Sequence, residues 1–362
     1  MTARVYNFNP GPAILPLPVL EEIRRDLLDF GGTGMSILEV SHRAKEYEAV
    51  HAEAEAALKE LLGLGDDYRV LFLGGGASMQ FDMVPLNFLP QGGVADYIVT
   101  GSFAEKACEE AQKIGRVHIA ASTKDTNHDR IPAQSEIRLS PSPAYIHLTS
   151  NNTIFGTQWP ALPSFGDIPL VADMSSDILS RRFDAAKFAL IYAGAQKNLG
   201  PAGVTVVIIR QDMLAKVPST LPSMLRYDIH AKHNSLYNTP PAFAVFAVML
   251  VLRWLKSEGG LPAIEARNRE KAKIVYDAID GSGGFYQGHA RPEARSLMNV
   301  TFRLPNEELE AVFVKEAKAE GLVNLKGHRS VGGMRASIYN AMPVEGCRKL
   351  AEFMGEFARR NG

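Results

Sequence analysis

The chain has 362 residues, of which 46% are hydrophobic and 22% are charged. This composition is typical of a globular protein with enough apolar material for two domains. Its 39 basic and 40 acidic residues give a formal charge of −1, which excludes a general electrostatic attraction to nucleic acid or to an anionic membrane. Any anionic ligand must therefore be recognised by a local group of cations or amides.

The cysteine content and the apolar runs indicate in which cellular compartment the protein is expected. Two cysteines, Cys108 and Cys347, are too few for a disulfide framework, which favours a reducing environment. The first residues lack the cationic region and apolar core of a secretory signal. The apolar run at 242–252 is too short to span a bilayer and is followed by Arg253 and Lys256, so it predicts a buried helix. We expect a cytoplasmic protein with no membrane partner.

The first fifty residues combine an irregular segment with two helical patterns. Residues 7–18, NFNPGPAILPLP, predict an extended, turn-rich arm. Helical spacing follows at 19–30 and ends at the glycines of 31–34. His42 and Arg43 then precede a long helical pattern, and a helix N-terminus favours an anion. A helix cap with a surface ion pair is the alternative for these two residues.

The stretch 68–88 has the pattern of a strand, a glycine loop and a helix. The three glycines at 74–76 let the backbone approach a ligand closely, and Ala77 and Ser78 begin the helix with free amides and a hydroxyl. Such an arrangement binds phosphate. It matches neither G-x-G-x-x-G nor a P-loop, so a strand-to-helix turn that needs glycine only for its geometry stays open.

From residue 95 onward, short apolar strands alternate with turn and helix patterns. The alternation predicts a mainly parallel sheet covered by helices on both faces. In such sheets, ligands gather at the carboxyl ends of the strands. The side chains that come just after predicted strands, and are expected to share one rim, are Phe103, Thr153, Asp173, Gln196 and Lys197.

Asp173 and Lys197 are the most informative members of this rim. Asp173 ends the apolar run 170–172, where a buried carboxylate is costly unless a cation or donor meets it. Lys197 lies on a tight loop between apolar strands, where exclusion of water lowers an amine's pKa and lets it form a Schiff base. A pyridoxal phosphate site requires this combination. The alternatives are a helix-capping aspartate and a solvated lysine.

The C-terminal third begins at the break Gly259–Gly260, which predicts a domain boundary. The patterns beyond it predict a strand at 296–304, a helix at 306–321 and a final helix at 344–360.

The segment between those two helices contains His328, Arg329 and Arg335 among glycines. Three such donors within eight residues suit a substrate with more than one anionic group. A solvated basic loop is the alternative.

Taken together, these motifs resemble those of the phosphoserine aminotransferases, a group of class V aminotransferases with the fold-type I architecture. The matching segments are NFNPGPA at 7–13, SHR at 41–43, GGGAS at 74–78, NNTIFGTQW at 151–159, AD at 172–173, YAGAQKN at 192–198, YNTPP at 237–241 and GHRSVGGMRASIYNAMP at 327–343.

The resemblance implies an α/β fold with two domains. The large one, residues 16–258, would bind pyridoxal phosphate on a mainly parallel seven-stranded sheet. The smaller α+β domain would consist of the N-terminal arm, 1–15, and residues 259–362.

Residue roles follow from the same resemblance. Lys197 would hold pyridoxal phosphate as a Schiff base and then carry the substrate's α-proton, and Asp173 would pair with the ring nitrogen. The other cofactor contacts would be Ala77, Ser78, Phe103, Thr153 and Gln196, with Asn238 and Thr239 reaching the cofactor of the neighbouring subunit in a homodimer. The substrate's anionic groups would be bound by His42, Arg43, His328, Arg329 and Arg335, with Arg335 on the α-carboxylate. No metal is implied.

The implied reaction moves an amino group from glutamate to 3-phosphohydroxypyruvate, giving O-phosphoserine and 2-oxoglutarate. Action on 3-hydroxy-4-phospho-oxobutanoate, in vitamin B6 synthesis, is a further expectation.

The chain departs from the family pattern at Phe103, where a tryptophan usually stacks on the ring, and at Ala77–Ser78, where some relatives carry an arginine. It also carries Asn9 where some relatives have serine.

Two other interpretations stay open. One is a different class V enzyme, such as a cysteine desulfurase or a small-amino-acid aminotransferase. Cys108 and Cys347 fall in predicted helices rather than on a mobile loop, which argues against the desulfurase. The cations at 42–43 and 328–329 favour a phosphorylated substrate over alanine or serine. The second interpretation is a non-catalytic nucleotide-binding protein whose glycine loop holds a phosphate.

Overall fold

The computed structural model describes residues 4–362, so residues 1–3 of the expected small domain lie outside the described range. The helices are α1 Leu17–Asp26, α2 Lys45–Leu62, α3 Gly76–Phe88, α4 Ser102–Ile114, α5 Gln211–Leu214, α6 Tyr227–Lys232, α7 Ala242–Ser257, α8 Gly260–Asp280, α9 Glu307–Ala319 and α10 Val344–Asn361. The strands are β1 Tyr6–Asn7, β2 Tyr68–Leu73, β3 Val94–Val99, β4 Arg116–Ser122, β5 Ile146–Thr149, β6 Asn151–Asn152, β7 Thr157–Gln158, β8 Leu170–Asp173, β9 Leu190–Gly194, β10 Thr205–Arg210, β11 Gln287–Gly288, β12 Asn299–Arg303, β13 Leu322–Val323 and β14 Met334–Ser337.

Seven strands form the central sheet, in the order β2-β10-β9-β8-β5-β3-β4. Only β10 runs antiparallel to its neighbours, β2 and β9. The predicted mainly parallel, seven-stranded sheet is therefore confirmed. Asp173 is the last residue of β8, and Lys197 lies in the turn that follows β9.

The sheet is buried on both faces because successive residues of a strand point to opposite sides. On β9, Ile191 faces one apolar core and Tyr192 faces the other. Helices α1, α2, α7 and the start of α8 cover the first face, and α3, α4 and α6 cover the second. The apolar run at 242–252 lies in α7, as predicted. Within the described residues, none of the helices combines the length and apolarity needed to cross a membrane.

The predicted alternation of strand and helix is correct only for the first part of the sheet. Helices α3 and α4 follow β2 and β3, whereas β4, β5, β8 and β9 are joined by loops, short 3-10 turns and the β6-β7 hairpin. Those connections are rich in proline, serine and glycine, which interrupt helical periodicity.

A smaller unit packs beside the sheet around its own core. It contains the antiparallel sheet β11-β12-β14 and helices α9 and α10, with Phe302, Phe313 and Phe357 in the interior. The N-terminal arm joins it, since β1 pairs in parallel with β13 and Phe8 is fully buried there. The arm was predicted as irregular, and this short strand is a correction. The sequence around residues 6–7 does not predict this pairing, because the partner strand lies near the other end of the chain.

Helix α8 packs in both units. Leu261 and Ile264, near its start, belong to the first core of the large sheet, whereas Val275 and Ile279 belong to the core of the smaller unit. The boundary that we propose at 258/259, between α7 and α8, thus assigns to the smaller domain a helix whose first turns pack on the core of the large sheet.

Candidate active site

A cavity of about 290 Å³ lies at the carboxyl edge of the central sheet, where β8 and β9 end. Both structural units contribute to its wall. The predicted site residues that line it are Ala77, Ser78, Phe103, Thr153, Asp173, Gln196, Lys197, His328 and Arg335.

Lys197 lies on the wall of this cavity in a tight turn. The Ala195 carbonyl accepts hydrogen bonds from the amides of Lys197 at 2.7 Å and Gly200 at 2.8 Å. Lys197 Nζ donates to Thr153 Oγ1 at 3.3 Å and lies 5.5 Å from the centroid of the Phe103 ring. Loss of hydration lowers the pKa of Lys197, and the Asp173 carboxylate acts in the opposite direction. The amine is therefore easier to deprotonate than that of a solvated lysine.

Asp173 is a buried carboxylate on the same wall, with 5% of its surface exposed. Its Oδ1 accepts the Ser175 amide at 2.9 Å, and Ser175 Oγ accepts the Gly194 amide at 3.1 Å, which ties the ends of β8 and β9 together. Burial raises the pKa of Asp173, while Lys197 and Ser175 act to lower it. Within residues 4–362, Ser175 is the one residue that hydrogen-bonds to this carboxylate. A carboxylate in this setting favours a ligand that brings a proton.

The glycine turn after β2 leads directly into α3 at the cavity. Gly75 and Gly76 have φ of +86° and +67°, a left-handed conformation that a side chain rarely adopts. No side chain within residues 4–362 caps the helix, and Gly76, Ala77 and Ser78 line the cavity. The first-turn amides are thus available to a phosphate.

Arg335 enters the cavity from β14 of the smaller unit. It is 6% exposed, and within residues 4–362 its Nε has no hydrogen-bond partner and no carboxylate lies at ion-pair distance. Burial lowers the pKa of its guanidinium. An unpaired buried cation destabilises the protein, so this position favours an anionic ligand.

The segment after β14 is held by a residue that sequence reasoning missed. Lys271 of α8 is fully buried and donates to the carbonyls of Ile338 at 2.9 Å and Tyr339 at 2.8 Å. Tyr339 in turn donates to the Pro10 carbonyl at 2.7 Å. These bonds connect α8, β14 and the N-terminal arm around the cavity. A lone lysine within a helical pattern gives no sequence signal for this role.

Five predicted site residues do not line this cavity. His42 and Arg43 lie in the turn before α2, as predicted, but away from the cavity wall. Asn238 and Thr239 are exposed before α7. Arg329 is exposed on the glycine loop and lines a neighbouring cavity together with His328. Their proposed roles stay predictions.

Other residues that line the cavity were not predicted. Thr149 ends β5, at the same rim as Asp173, and Ser175 and Ser176 follow Asp173 directly. The rule that ligands gather at the carboxyl ends of the strands, applied to every strand of the sheet, would have predicted Thr149, Ser175 and Ser176 as well. Gly11 of the arm also lines the cavity, and its position depends on contacts with Gln196 that only the fold creates.

The cavity fits the expected pyridoxal phosphate. Its uncapped helix N-terminus suits a phosphate, the buried Asp173 suits a protonated ring nitrogen, and the desolvated Lys197 suits an aldehyde. Among residues 4–362, no cluster of three or more His, Cys, Asp and Glu side chains could hold a metal ion.

Both cysteines are buried in helices, as the sequence predicted. Cys108 lies in α4 and Cys347 in α10. Burial raises the pKa of the Cys108 thiol to about 11 and that of Cys347 to about 12. Neither thiol suits the nucleophilic role that a cysteine desulfurase requires.

Comparisons with known proteins identify the family of the chain. A sequence profile of the family described as aminotransferase class-V matches residues 5–350. The phosphoserine aminotransferase of Herpetosiphon aurantiacus is 61% identical over 358 residues, covering 99% of both chains. The solved phosphoserine aminotransferase of Bacillus circulans subsp. alkalophilus superimposes with a TM-score of 0.98 at 57% identity, covering 99% of both chains. The pyridoxal-phosphate-bound enzyme from Trichomonas vaginalis gives a TM-score of 0.93 at 40% identity, covering 97% of this chain and all of the other.

Proposed function

The chain belongs to the class V aminotransferases and is a pyridoxal-phosphate-dependent transaminase, and from this membership we propose that it converts glutamate and 3-phosphohydroxypyruvate to 2-oxoglutarate and O-phosphoserine. The observation that carries the proposal is Arg335, a buried guanidinium that lines the same cavity as Lys197 and has no carboxylate partner in the described part of the chain. A transaminase needs such a group because both of its substrates bring an α-carboxylate.

Pyridoxal phosphate would be held from three sides. The first-turn amides of α3 and the side chains of Ser78 and Gln196 would bind its phosphate, Thr153 would lie beside its ring hydroxyl, and Phe103 would stack on its ring. When bound, the cofactor supplies an aldehyde that engages amines and a protonated ring that withdraws electrons from the substrate's Cα. Asp173 would hold the proton on the ring nitrogen.

Lys197 would act twice, first as the amine that anchors the cofactor and then as a base. Its lowered pKa increases the neutral fraction of Nζ at neutral pH. Once the substrate's own amine has taken its place, Nζ is free to accept the proton from the substrate's Cα. Thr153, 3.3 Å away, would orient the amine through its hydroxyl.

Arg335 would bind the substrate's α-carboxylate through two parallel N–H bonds. His328 lines the same cavity and would meet the second anionic group, which is the phosphate of phosphoserine or the side-chain carboxylate of glutamate. Arg329, His42 and Arg43 would complete this subsite. The same two anionic groups occur in 3-hydroxy-4-phospho-oxobutanoate, so we include that vitamin B6 precursor among the proposed substrates.

A coupled assay tests the substrate class. The enzyme, loaded with cofactor and glutamate, is offered 3-phosphohydroxypyruvate or its unphosphorylated counterpart, hydroxypyruvate. Because hydrogen bonds to a charged group contribute about 1.5–3 kcal/mol each, we expect kcat/KM to favour the phosphorylated acid by about tenfold to a hundredfold or more. Equal values for the two acids would refute the proposed specificity, while turnover of both would still identify a transaminase.

We further propose a homodimer in the cytoplasm, in which Asn238 and Thr239 serve the cofactor of the partner subunit. Both residues are exposed and outside the cavity of their own chain, and both cysteines are free, as in a reducing compartment. Several apolar side chains are also exposed, including Leu28, Leu38 and Tyr237.

Complementation between subunits tests this arrangement. We expect Lys197→Ala and Asn238→Ala homodimers each to have low activity, because every site lacks one required residue. Mixed subunits are expected to recover activity, since one site of each heterodimer then contains both native residues. The measurement is turnover after co-refolding of the two variants at different ratios. Activity that merely averages the two homodimers would place Asn238 outside the partner's site.

Phe103 gives a prediction for cofactor affinity. Its ring lies 5.5 Å from Lys197 Nζ, and an aromatic pair contributes about 0.5–1.5 kcal/mol beyond buried area. Phe103→Leu is therefore expected to raise the dissociation constant of pyridoxal phosphate by about twofold to tenfold, and Phe103→Trp is expected to lower or preserve it. Fluorescence titration of the cofactor-free protein measures both constants. Tighter binding by the leucine variant would contradict the stacking role.

A further inference from the structure

The hydroxyl of Thr149 is an unassigned feature at the ring-nitrogen end of the cavity. We propose that Thr149 is a positioning residue, whose hydroxyl supports the Asp173 carboxylate when this carboxylate pairs with the ring nitrogen of the cofactor. The inference rests on the proposed role of Asp173.

The strand register brings the two side chains together. Thr149 on β5 is the register partner of Asp173 on β8, and both residues end their strands. Register partners on adjacent strands point to the same side of a sheet, about 4.8 Å apart. Both side chains line the cavity, and the reach of a threonine hydroxyl and an aspartate carboxylate spans that separation.

The Thr149 hydroxyl is buried and without a partner. The residue is 3% exposed, and no group in the described part of the chain bonds to Oγ1. A buried hydroxyl in this state destabilises the protein. Of the hydroxyls around it, Ser150 donates to Asp177 and Ser176 donates to Asn151, whereas the Ser175 side chain accepts from Gly194 and also acts on the Asp173 carboxylate. Thr149 therefore has an unused hydroxyl donor, and the residue lines the cavity.

Asp173 has few donors for a buried carboxylate. Ser175 supplies its amide to Oδ1, and its side chain also helps to lower the pKa of the carboxylate; within residues 4–362 no other residue hydrogen-bonds to Asp173. Its register partner on the other side is Tyr192 of β9, whose hydroxyl pairs with His147 at 2.8 Å. That hydroxyl is thus already hydrogen-bonded. Thr149 is the register partner whose hydroxyl has no partner within residues 4–362.

The proposal predicts opposite effects on cofactor binding and on stability. Thr149→Val keeps the shape and removes the hydroxyl, so it is expected to raise the dissociation constant of pyridoxal phosphate by about fivefold to twentyfold. The thermal midpoint of the cofactor-free, full-length protein should be unchanged or higher, because an unsatisfied buried hydroxyl has been removed. Thr149→Ser, which keeps the hydroxyl, should bind the cofactor within about threefold of the native protein.

A double-mutant cycle separates this inference from the proposed site. Equilibrium dialysis, up to millimolar pyridoxal phosphate, gives dissociation constants for the native protein, Thr149→Val, Asp173→Asn and the double variant. We expect Thr149→Val to have no further effect once Asp173 is asparagine.

Each other result has a distinct meaning. Unaltered affinity in Asp173→Asn alone would overturn the proposed role of Asp173. Weaker binding by Asp173→Asn, with native affinity in Thr149→Val, would overturn only the role of Thr149. The same conclusion follows if the two effects are additive, or if Thr149→Val lowers the thermal midpoint of the cofactor-free protein along with the affinity.

Discussion

Replacing Lys197 with alanine is expected to reduce turnover by about three orders of magnitude, the usual contribution of a general base. The variant lacks the amine that lines the cavity and donates to Thr153, so no group at that position can accept the substrate's α-proton. It should also lose the near-visible absorption of the lysine-bound cofactor. Initial rates with glutamate and 3-phosphohydroxypyruvate, together with a spectrum of the purified protein, measure both effects.

Lys106 is a matched control for this variant. Its Nζ lies over the same Phe103 ring at the same distance of 5.5 Å as Lys197 Nζ, but Lys106 is exposed and outside the cavity. Lys106→Ala is therefore expected to keep its colour and to stay within a few-fold of native turnover. If Lys197→Ala retained both colour and turnover, the catalytic assignment would be wrong.

Replacing Arg335 with methionine is expected to lower kcat/KM for glutamate by at least about a hundredfold, chiefly through KM. Two hydrogen bonds to a charged carboxylate are lost, each contributing about 1.5–3 kcal/mol. The cofactor-free protein should melt at the same or a higher temperature, because an unpaired buried cation is replaced by an apolar side chain. Steady-state kinetics and thermal unfolding give the two measurements.

A surface arginine of the same structural unit provides the comparison. Arg348 of α10 pairs with Glu270 at 2.9 Å and has 54% of its side chain exposed. Arg348→Met should leave kcat/KM near the native value, since exposed ion pairs contribute little. Arg335→Lys keeps the charge but loses the two-pronged geometry, so an intermediate loss is expected. Native kinetics in Arg335→Met would remove this residue from the substrate site.

Local patterns predicted the elements of the central sheet well. The strand, glycine loop and helix predicted over 68–88 are found as β2 and α3, because a mainly apolar run, a glycine turn and a helical pattern follow one another there. The strand β1 was missed because only its pairing with β13, far along the chain, makes residues 6–7 a strand. Pairing between distant segments leaves no periodic pattern of apolar residues in the sequence.

In the site, too, local patterns predicted some residues, whereas long-range packing determined the positions of others. The rule that strand ends share a rim placed Asp173 and Lys197 on one cavity. The rule could not predict that Arg335 lines the cavity whereas Arg329 does not, since both residues lie in one glycine-rich basic segment. Their difference comes from β14, which fixes Arg335 opposite Thr301 of β12, whereas Arg329 stays on the loop before it. Nor could it find Lys271, whose bonds to carbonyls depend on how α8 packs.

The position of β2 at the edge of the sheet affects when the glycine turn before α3, the proposed phosphate site, can form. Its single neighbour is β10, which is synthesised roughly 130 residues later. At about 5–20 residues per second, a nascent chain therefore carries an unpaired β2 for some seconds to tens of seconds. During this interval the glycine turn has no sheet to hold it against the Lys197 loop. Cofactor capture should accordingly be a late event in the maturation of this enzyme, after the antiparallel strand has closed the sheet.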